Sequence, residues 1–297
     1  MVIIKLCGGL GNQMFQYAVG RAITYRYDMK LKLDISAYRN DPIRTYRLKY
    51  LNIIENFATK EDIKSLIPGK KQITRWIAYQ YKKRFYPFYR RPIIIERGNS
   101  TLFDPEILKI KESTYLIGYW QCAKYFVDIT KIIRKDFSLR NKMNEHNEKI
   151  YNEILSENGV SLHIRRGDYA TNPEALKHHG ILSLDYYHNA LRIIEEKVKA
   201  PIIYVFSDDI TWVKNNLKIN LPLRFMDHKG SELDYEVLHL MSACKHHIIA
   251  NSSFSWWGAW LSNYPAKIVI APKQWFSINE MERRRDMDII PESWIML

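Results

Sequence analysis

The chain reads as an α/β protein built on parallel sheets, and three observations predict it. A short apolar run rich in β-branched residues, Val2–Cys7, breaks at "GGLGNQ" and passes into helical spacing, giving strand, glycine turn and helix. The second half alternates apolar runs with amphipathic stretches, the pattern of parallel strands joined by crossover helices. The chemically distinctive residues fall where those runs end, and ligands of parallel α/β sheets sit at strand carboxyl ends.

Element by element, Met14, Tyr17, Ala18 and Arg21 to Ile23 continue the first helix, and Lys30–Asp34 reads as a second strand. Residues 40–112 are less regular, with helices expected near 60–67 and 71–85, the latter ending before Pro87. Tyr115–Tyr119 reads as a strand, Tyr125–Lys135 as a helix, and residues 144–157 as a polar connecting helix. Val160–Ile164 is a strand, and Leu184–Val198 is a helix with Ser183 as its N-cap. Ile202–Phe206 is a strand ending in "SDD", and Leu223–Met226 is another. Ser231 and Asp234 can start a helix through Ser242, followed by strand His247–Ala250, helix Phe254–Leu261 and strand Ile268–Ile270.

With 297 residues and 46% apolar content the chain is globular and long enough for two domains. No run approaches the roughly 18 apolar residues of a membrane span. The opening "MVIIKLCGGLGNQ" is interrupted too soon by Lys5 and glycines to be a secretory signal. Cys7, Cys122 and Cys244 are scattered and odd in number, which is neither a disulfide framework nor a zinc site. A cytoplasmic location is therefore expected. The sequons at Asn99 and Asn251 should stay unmodified, and the Arg-Gly-Asp tripeptide at 166–168 has no adhesion role, because such tripeptides act outside cells.

The net charge of +13 is uneven: residues 1–158 hold 29 Lys/Arg against 16 Asp/Glu, and residues 159–297 hold 16 of each. The excess of 29 − 16 = +13 therefore lies wholly in the first half, and such asymmetry reports a partner surface. Its densest part, residues 70–91, has eight Lys/Arg, seven aromatics and no acid. That composition suits an anionic membrane surface, single-stranded nucleic acid, or a solvated basic helix with its aromatics turned inward.

Four constellations can carry chemistry. In "HIRRGDY", residues 163–169, two guanidinium groups follow a buried strand. An arginine there can fork bidentately to phosphate, or it can pair with Asp168 or another neighbour. "GGLGNQMFQYA" is a glycine-rich turn opening a helix, whose free N–H groups favour an anion. It is neither a Walker loop nor G-x-G-x-x-G, and a plain tight turn is the bland alternative. "ANSSFSWWGAWL" sets Ser252, Ser253 and Ser255 at a helix start, to cap it or to bond phosphate, while Trp256, Trp257 and Trp260 read as core. "FSDD" could clamp a divalent metal, but adjacent side chains on an extended chain point to opposite faces, and Asp209 suits the N-cap of a short helix.

"GGLGNQMFQYA", "HIRRGDY" and "CKHHIIANSSFSWWGAWL", in that order and with a "DIIPESW" tail, resemble glycosyltransferase family 11, the α-1,2-fucosyltransferases, over most of the chain from residue 5 to about 275. The resemblance implies a GT-B-like architecture, two Rossmann-like domains with mainly parallel sheets facing a cleft. Residues 1–150 would form the N-terminal α/β domain on the acceptor side, with the basic-aromatic segment 70–91. Residues 151–275 would form the GDP-sugar domain, and 276–297 a tail. It implies transfer of L-fucose from GDP-β-L-fucose, with inversion, to the 2-hydroxyl of a galactose-type acceptor, in surface polysaccharide or glycan synthesis.

No metal and no cofactor beyond the GDP-fucose substrate are expected. Arg165 would clamp the β-phosphate and His163 would lie by the nucleotide. Arg166, Asn251, Ser252, Ser253, Phe254 and Ser255 would line the diphosphate, with Gly8, Gly9, Gly11, Asn12 and Gln13 at the glycine turn. An acid in the helix before "LMSACKHH" would read guanine. Val237 stands where that acid is expected, which leaves Glu236 and Asp234 as candidates. The acceptor hydroxyl needs a base, for which Asp168 is nearest and Glu174, His178 and His179 are alternatives on the following loop. A non-catalytic basic module binding nucleic acid through residues 70–91 is the rival. The neutral second half argues against it, because a nucleic-acid channel draws basic residues from both halves. A peripheral position on the inner face of the membrane is the remaining expectation for that segment.

Overall fold

The computed structural model describes the chain except for residues 68–83, 85, 98–100, 168, 170–171, 227–232, 278 and 281–286. The chain forms two compact units, Met1–Arg140 with Asp286–Ile289, and Asn141–Arg285 with Ile290–Leu297. The helix expected at 71–85 and most of the basic-aromatic segment lie outside the described residues.

The first unit holds strands β1 (Val2–Lys5), β2 (Leu31–Asp34), β3 (Ile93–Ile95) and β4 (Thr114–Ile117), all parallel, in the order β2-β1-β4-β3. Val2, Ile3 and Ile4 are fully buried, as a strand covered on both faces must be. Helix α1 (Leu10–Arg26) follows the glycine turn, and α2 (Lys60–Leu66) agrees with the expected helix near 60–67. The helix expected at 125–135 is instead two 3₁₀ turns, Ala123–Tyr125 and Val127–Ile129, followed by α3 (Thr130–Asp136). Phe126 (φ −130°) and Ile129 (φ −115°) leave helical geometry between the pieces. Strand β3 went unread because three isoleucines are too short a run to show a period.

The second unit holds β5 (Gly159–Ile164), β6 (Ile202–Ser207), β7 (Leu223–Met226), β8 (His246–Ile248), β9 (Val269–Ala271) and β10 (Ile295–Met296). All are parallel, in the order β10-β9-β8-β5-β6-β7. Its helices are α4 (Glu145–Ser156), α5 (Pro173–His179), α6 (Leu184–Lys197), α7 (Ile210–Asn216), α8 (Asp234–Ala243) and α9 (Ser253–Leu261). Side-chain alternation divides the strands between two cores. Val160, Leu162, Ile164, Ile203 and Val205 pack on Tyr187, Leu191 and Ile194 of α6. Tyr204 and Phe206 pack on Leu240 and Met241 of α8 and on Ile154 of α4. Trp256 and Trp257 are fully buried, which agrees with reading them as core.

Two expected boundaries move. The polar helix at 144–157 is α4, and it belongs wholly to the second unit because Asn144 and Asn147 bond Glu236 of α8. Residues 290–297 are no separate tail: Leu297 N–H donates to the Ala271 carbonyl at 3.0 Å, and Trp294 packs 5.5 Å from Trp256, so the last residues complete the sheet.

Candidate active site

Strands β5 and β6 run in register so that Ile164 lies opposite Ser207. Ser207 Oγ donates to the Ile164 carbonyl at 2.8 Å and accepts the Asp209 N–H at 3.0 Å, which ties the two strand ends together. Beyond this tie Arg165 and Arg166 face Asp208 and Asp209. Arg165 Nη1 lies 2.6 Å from Asp208 Oδ2, and its guanidinium sits 5.3 Å from the centre of the Tyr169 ring. Arg166 N–H donates to Asp208 Oδ1 at 2.9 Å, while its guanidinium lies 3.6 Å over the Trp212 ring and 3.6 Å from Asp209. Asp209 caps α7 by accepting the Trp212 N–H at 3.1 Å, as its place before a short helix predicted.

These contacts separate the four charges. Arg166 lies between Asp209 and the Trp212 ring at the start of α7. Asp208 faces Arg165 and Asp209 faces α7, so the two carboxylates do not converge as a metal clamp. Among the described residues no group of three His, Cys, Asp or Glu is placed to share a metal ion. Asp168 lies outside the described residues.

His163 precedes the pair on the face of β5 opposite the Val160–Leu162–Ile164 row. It is 5% exposed, its ring centre is 5.9 Å from that of Phe254, and its Nδ1 has no hydrogen-bond partner among the described residues. Burial pushes its pKa down to about 4; the nearby Asp208 charge works against this and Arg165 adds to it. His247, fully buried with Nδ1 2.8 Å from Ser161 Oγ, is pushed down by burial as well. The unfolded chain protonates these rings near pH 6.5, and the folded chain does so only well below it. Stability present at neutral pH is therefore expected to fall as the pH drops from 6.5 toward 4. Urea unfolding at pH 7 and pH 4.5 checks this; a His163→Phe variant with the same pH slope as the parent would remove His163 from the account.

At the start of α9 the expected phosphate contacts divide in the same way. Asn251 is buried and its amide donates to the carbonyls of His179 (2.9 Å) and Trp275 (3.3 Å). Ser255 is fully buried, bonding the carbonyls of Ala250 and Ser252, and Ser252 Oγ accepts the Phe254 N–H at 3.3 Å. These three side chains build the helix start. Ser253 and Phe254 are half-buried at its mouth, where the helix N-terminus favours an anion.

The remaining second-unit candidates lie on α8 and α5, and of these His179 reaches the Tyr169 ring beside Arg165. Glu236 is 3% exposed and accepts from the amides of Asn144 and Asn147, both at 2.7 Å, so it anchors α4. Glu174, His178 and His179 stand on α5, a helix rather than the expected loop, started by Pro173 and by Asn172, whose side chain accepts the Glu174 N–H. Glu174 is exposed; His178 Nδ1 lies 3.8 Å from Glu280; His179 stacks on Tyr169 at 4.5 Å between ring centres.

In the first unit Gly8 takes φ +77°, and a Cβ there would lie 2.7 Å from Asn12 Nδ2, so the turn requires glycine. Gly9 is the N-cap of α1, and its carbonyl accepts the N–H groups of Asn12 and Gln13. Gly11 is buried, and Asn12 Oδ1 accepts from Gln121 at 2.8 Å. Gln13, fully buried, bonds Gly8, Thr45 and Arg47 and so braces the loop. One feature of this strand end escaped the sequence reading. The two oxygens of Glu96 accept the N–H groups of Tyr119 and Trp120, each at 2.7 Å, and hold Trp120 at φ +55°. No local pattern links a carboxylate to a turn on another strand.

Both units are parallel α/β sheets, and the second carries Arg165 just past the carboxyl end of β5, where ligands of such sheets sit. The whole chain, residues 1–297, matches the family description "Glycosyl transferase family 11". It is 37% identical over 303 residues to an Escherichia coli "Alpha-1,2-colitosyltransferase", covering 100% of this chain and 99% of that protein. It is 35% identical over 305 residues to the Escherichia coli "O-antigen biosynthesis glycosyltransferase WbnK", covering 98% and 99%. In fold it is similar to the NodZ alpha-1,6-fucosyltransferase soaked with GDP-fucose, with a TM-score of 0.51 at 14% identity over 88% of this chain and 91% of that one. The chain belongs to glycosyltransferase family 11 and is a glycosyltransferase of GT-B-like α/β fold.

Proposed function

We propose that the enzyme transfers L-fucose from GDP-β-L-fucose, with inversion, to the 2-hydroxyl of a galactose-type acceptor in the synthesis of a surface polysaccharide. The observation that carries this reading is Arg165, a fixed guanidinium at the carboxyl ends of β5 and β6, within a chain matched throughout to family 11. Cleavage of the sugar–phosphate bond leaves charge on the diphosphate and oxocarbenium character on the sugar. A guanidinium that stays ionised and a helix N-terminus can stabilise that charge. His163, held neutral by burial, adds no competing charge beside the nucleotide. The incoming hydroxyl loses its proton to a carboxylate or imidazole, with Asp168 the first candidate and Glu174, His178 and His179 the others.

The relatives support the polysaccharide setting and raise a second donor. A protein 37% identical over this whole chain bears the name of a colitosyltransferase, so colitose in place of fucose is the alternative sugar. Rates with GDP-fucose and with the same nucleotide carrying colitose decide between them. A melting temperature that GDP fails to raise would count against both, since a ligand of the native state must stabilise it.

Catalysis without a divalent metal is part of the reading, because Asp208 and Asp209 are engaged by Arg165, Arg166 and the α7 N-terminus. Full activity is expected after exhaustive EDTA treatment; loss that Mn²⁺ or Mg²⁺ restores would contradict it. Peripheral attachment to an anionic membrane through residues 70–91 is proposed from composition alone, at roughly 1 kcal/mol per engaged Lys/Arg and weakened by salt. Co-sedimentation with anionic vesicles at low salt is expected, and should be lost when Lys82, Lys83, Arg84, Arg90 and Arg91 become Gln. Equal binding by that variant would leave the segment a solvated face.

A further inference from the structure

We propose that Asp208 is a positioning residue for transfer: its carboxylate aims the Arg165 guanidinium and sets the turn that carries it. This rests on the reading of Arg165 as the diphosphate clamp. Three consecutive residues converge on this one carboxylate. Arg165 Nη1 lies 2.6 Å from Oδ2, and the Arg166 N–H donates to Oδ1 at 2.9 Å. Gly167 presses its bare Cα against the same group, where a Cβ would stand 2.3 Å from Oδ2. The carrier of the carboxylate is fixed in turn, because Ser207 Oγ bonds both the Ile164 carbonyl and the Asp209 N–H.

A stability role explains this arrangement poorly. The Arg165 and Asp208 side chains keep 23% and 24% of their surface exposed, and ion pairs so open to solvent contribute little to folding. Orientation explains it better. An arginine side chain has many rotamers, and a carboxylate on one edge with the Tyr169 ring 5.3 Å from its guanidinium selects among them. Asp208 repels the diphosphate it would otherwise meet, so it acts through Arg165, much as a carboxylate orients a metal-bound histidine.

The test is a double-mutant cycle on GDP-fucose transfer, with melting temperature and GDP affinity measured alongside. Asp208→Asn keeps the shape and an acceptor for the Arg166 N–H but removes the charge. It is expected to lower kcat by about tenfold, since small misplacements of a clamp are costly, with GDP affinity and melting temperature little changed. In an Arg165→Lys background the same substitution should cost less than about twofold more, the mark of two residues acting as one. If Asp208→Asn melts below the assay temperature, Asp208→Ser, which fits the space beside Gly167, takes its place in the cycle. A kcat within about twofold of the parent, or losses that multiply in the double mutant, would overturn the proposal. If Arg165→Lys alone leaves transfer intact, the clamp reading itself fails, which is a different result.

Discussion

Arg165→Lys is expected to lower transfer by one to two orders of magnitude, about 1.4–2.8 kcal/mol of transition-state stabilisation, without lowering the melting temperature. Lysine keeps the charge but loses the planar fork that grips two phosphate oxygens at once. The side chain is 23% exposed and its ion pair with Asp208 is solvent-screened, so stability has little to lose. Arg165→Ala should go further, removing the charge as well. Initial rates at saturating acceptor check both variants. Turnover near the parent's in Arg165→Ala would remove the clamp.

The second large effect is on stability. Glu236→Ala is expected to destabilise the second unit by roughly 2–5 kcal/mol, because it strands the buried amide of Asn147 and removes the buried carboxylate that also holds the exposed Asn144, each amide lying 2.7 Å from it. The melting temperature should fall by roughly 5–15 °C. GDP affinity, measured well below that temperature, should hold. A variant of normal stability that no longer binds GDP would return Glu236 to the nucleotide site and contradict its placement as an anchor.

How much was legible follows from what each feature depends on. The strands β5 and β6 were readable because both faces of a parallel sheet are covered, so their runs are almost continuously apolar. Asp209 was readable as a cap because capping is local. Glu236 was not, because "LDYEVLHLM" shows a carboxylate on a helix and nothing in that pattern says that the face meets α4. Arg165 reads from the sequence as an anion binder, and Asp208 as one of two adjacent carboxylates ill-placed for a shared metal. Their pairing depends on the register that sets Ile164 opposite Ser207, and register is a property of two strands rather than of either sequence. The same holds for Gln13 and Asn251, polar residues at the right strand ends whose side chains brace loops instead of meeting solvent. Helix α5 has its signals in "NPEALKHH", an asparagine and a proline at a helix start, but at seven residues it is too short for its periodicity to separate it from loop.

The central claim is that this family 11 enzyme builds an α-1,2 linkage from GDP-β-L-fucose. Its most direct test is the structure of the product: incubate the enzyme, without added metal, with GDP-fucose and a β-galactoside, and assign the new glycosidic bond by NMR. The account predicts one α-linked fucose on the 2-hydroxyl of galactose, with one GDP released per sugar transferred. Fucose at another hydroxyl, a β-linked product, or release of GDP with free fucose as the only sugar product would contradict it.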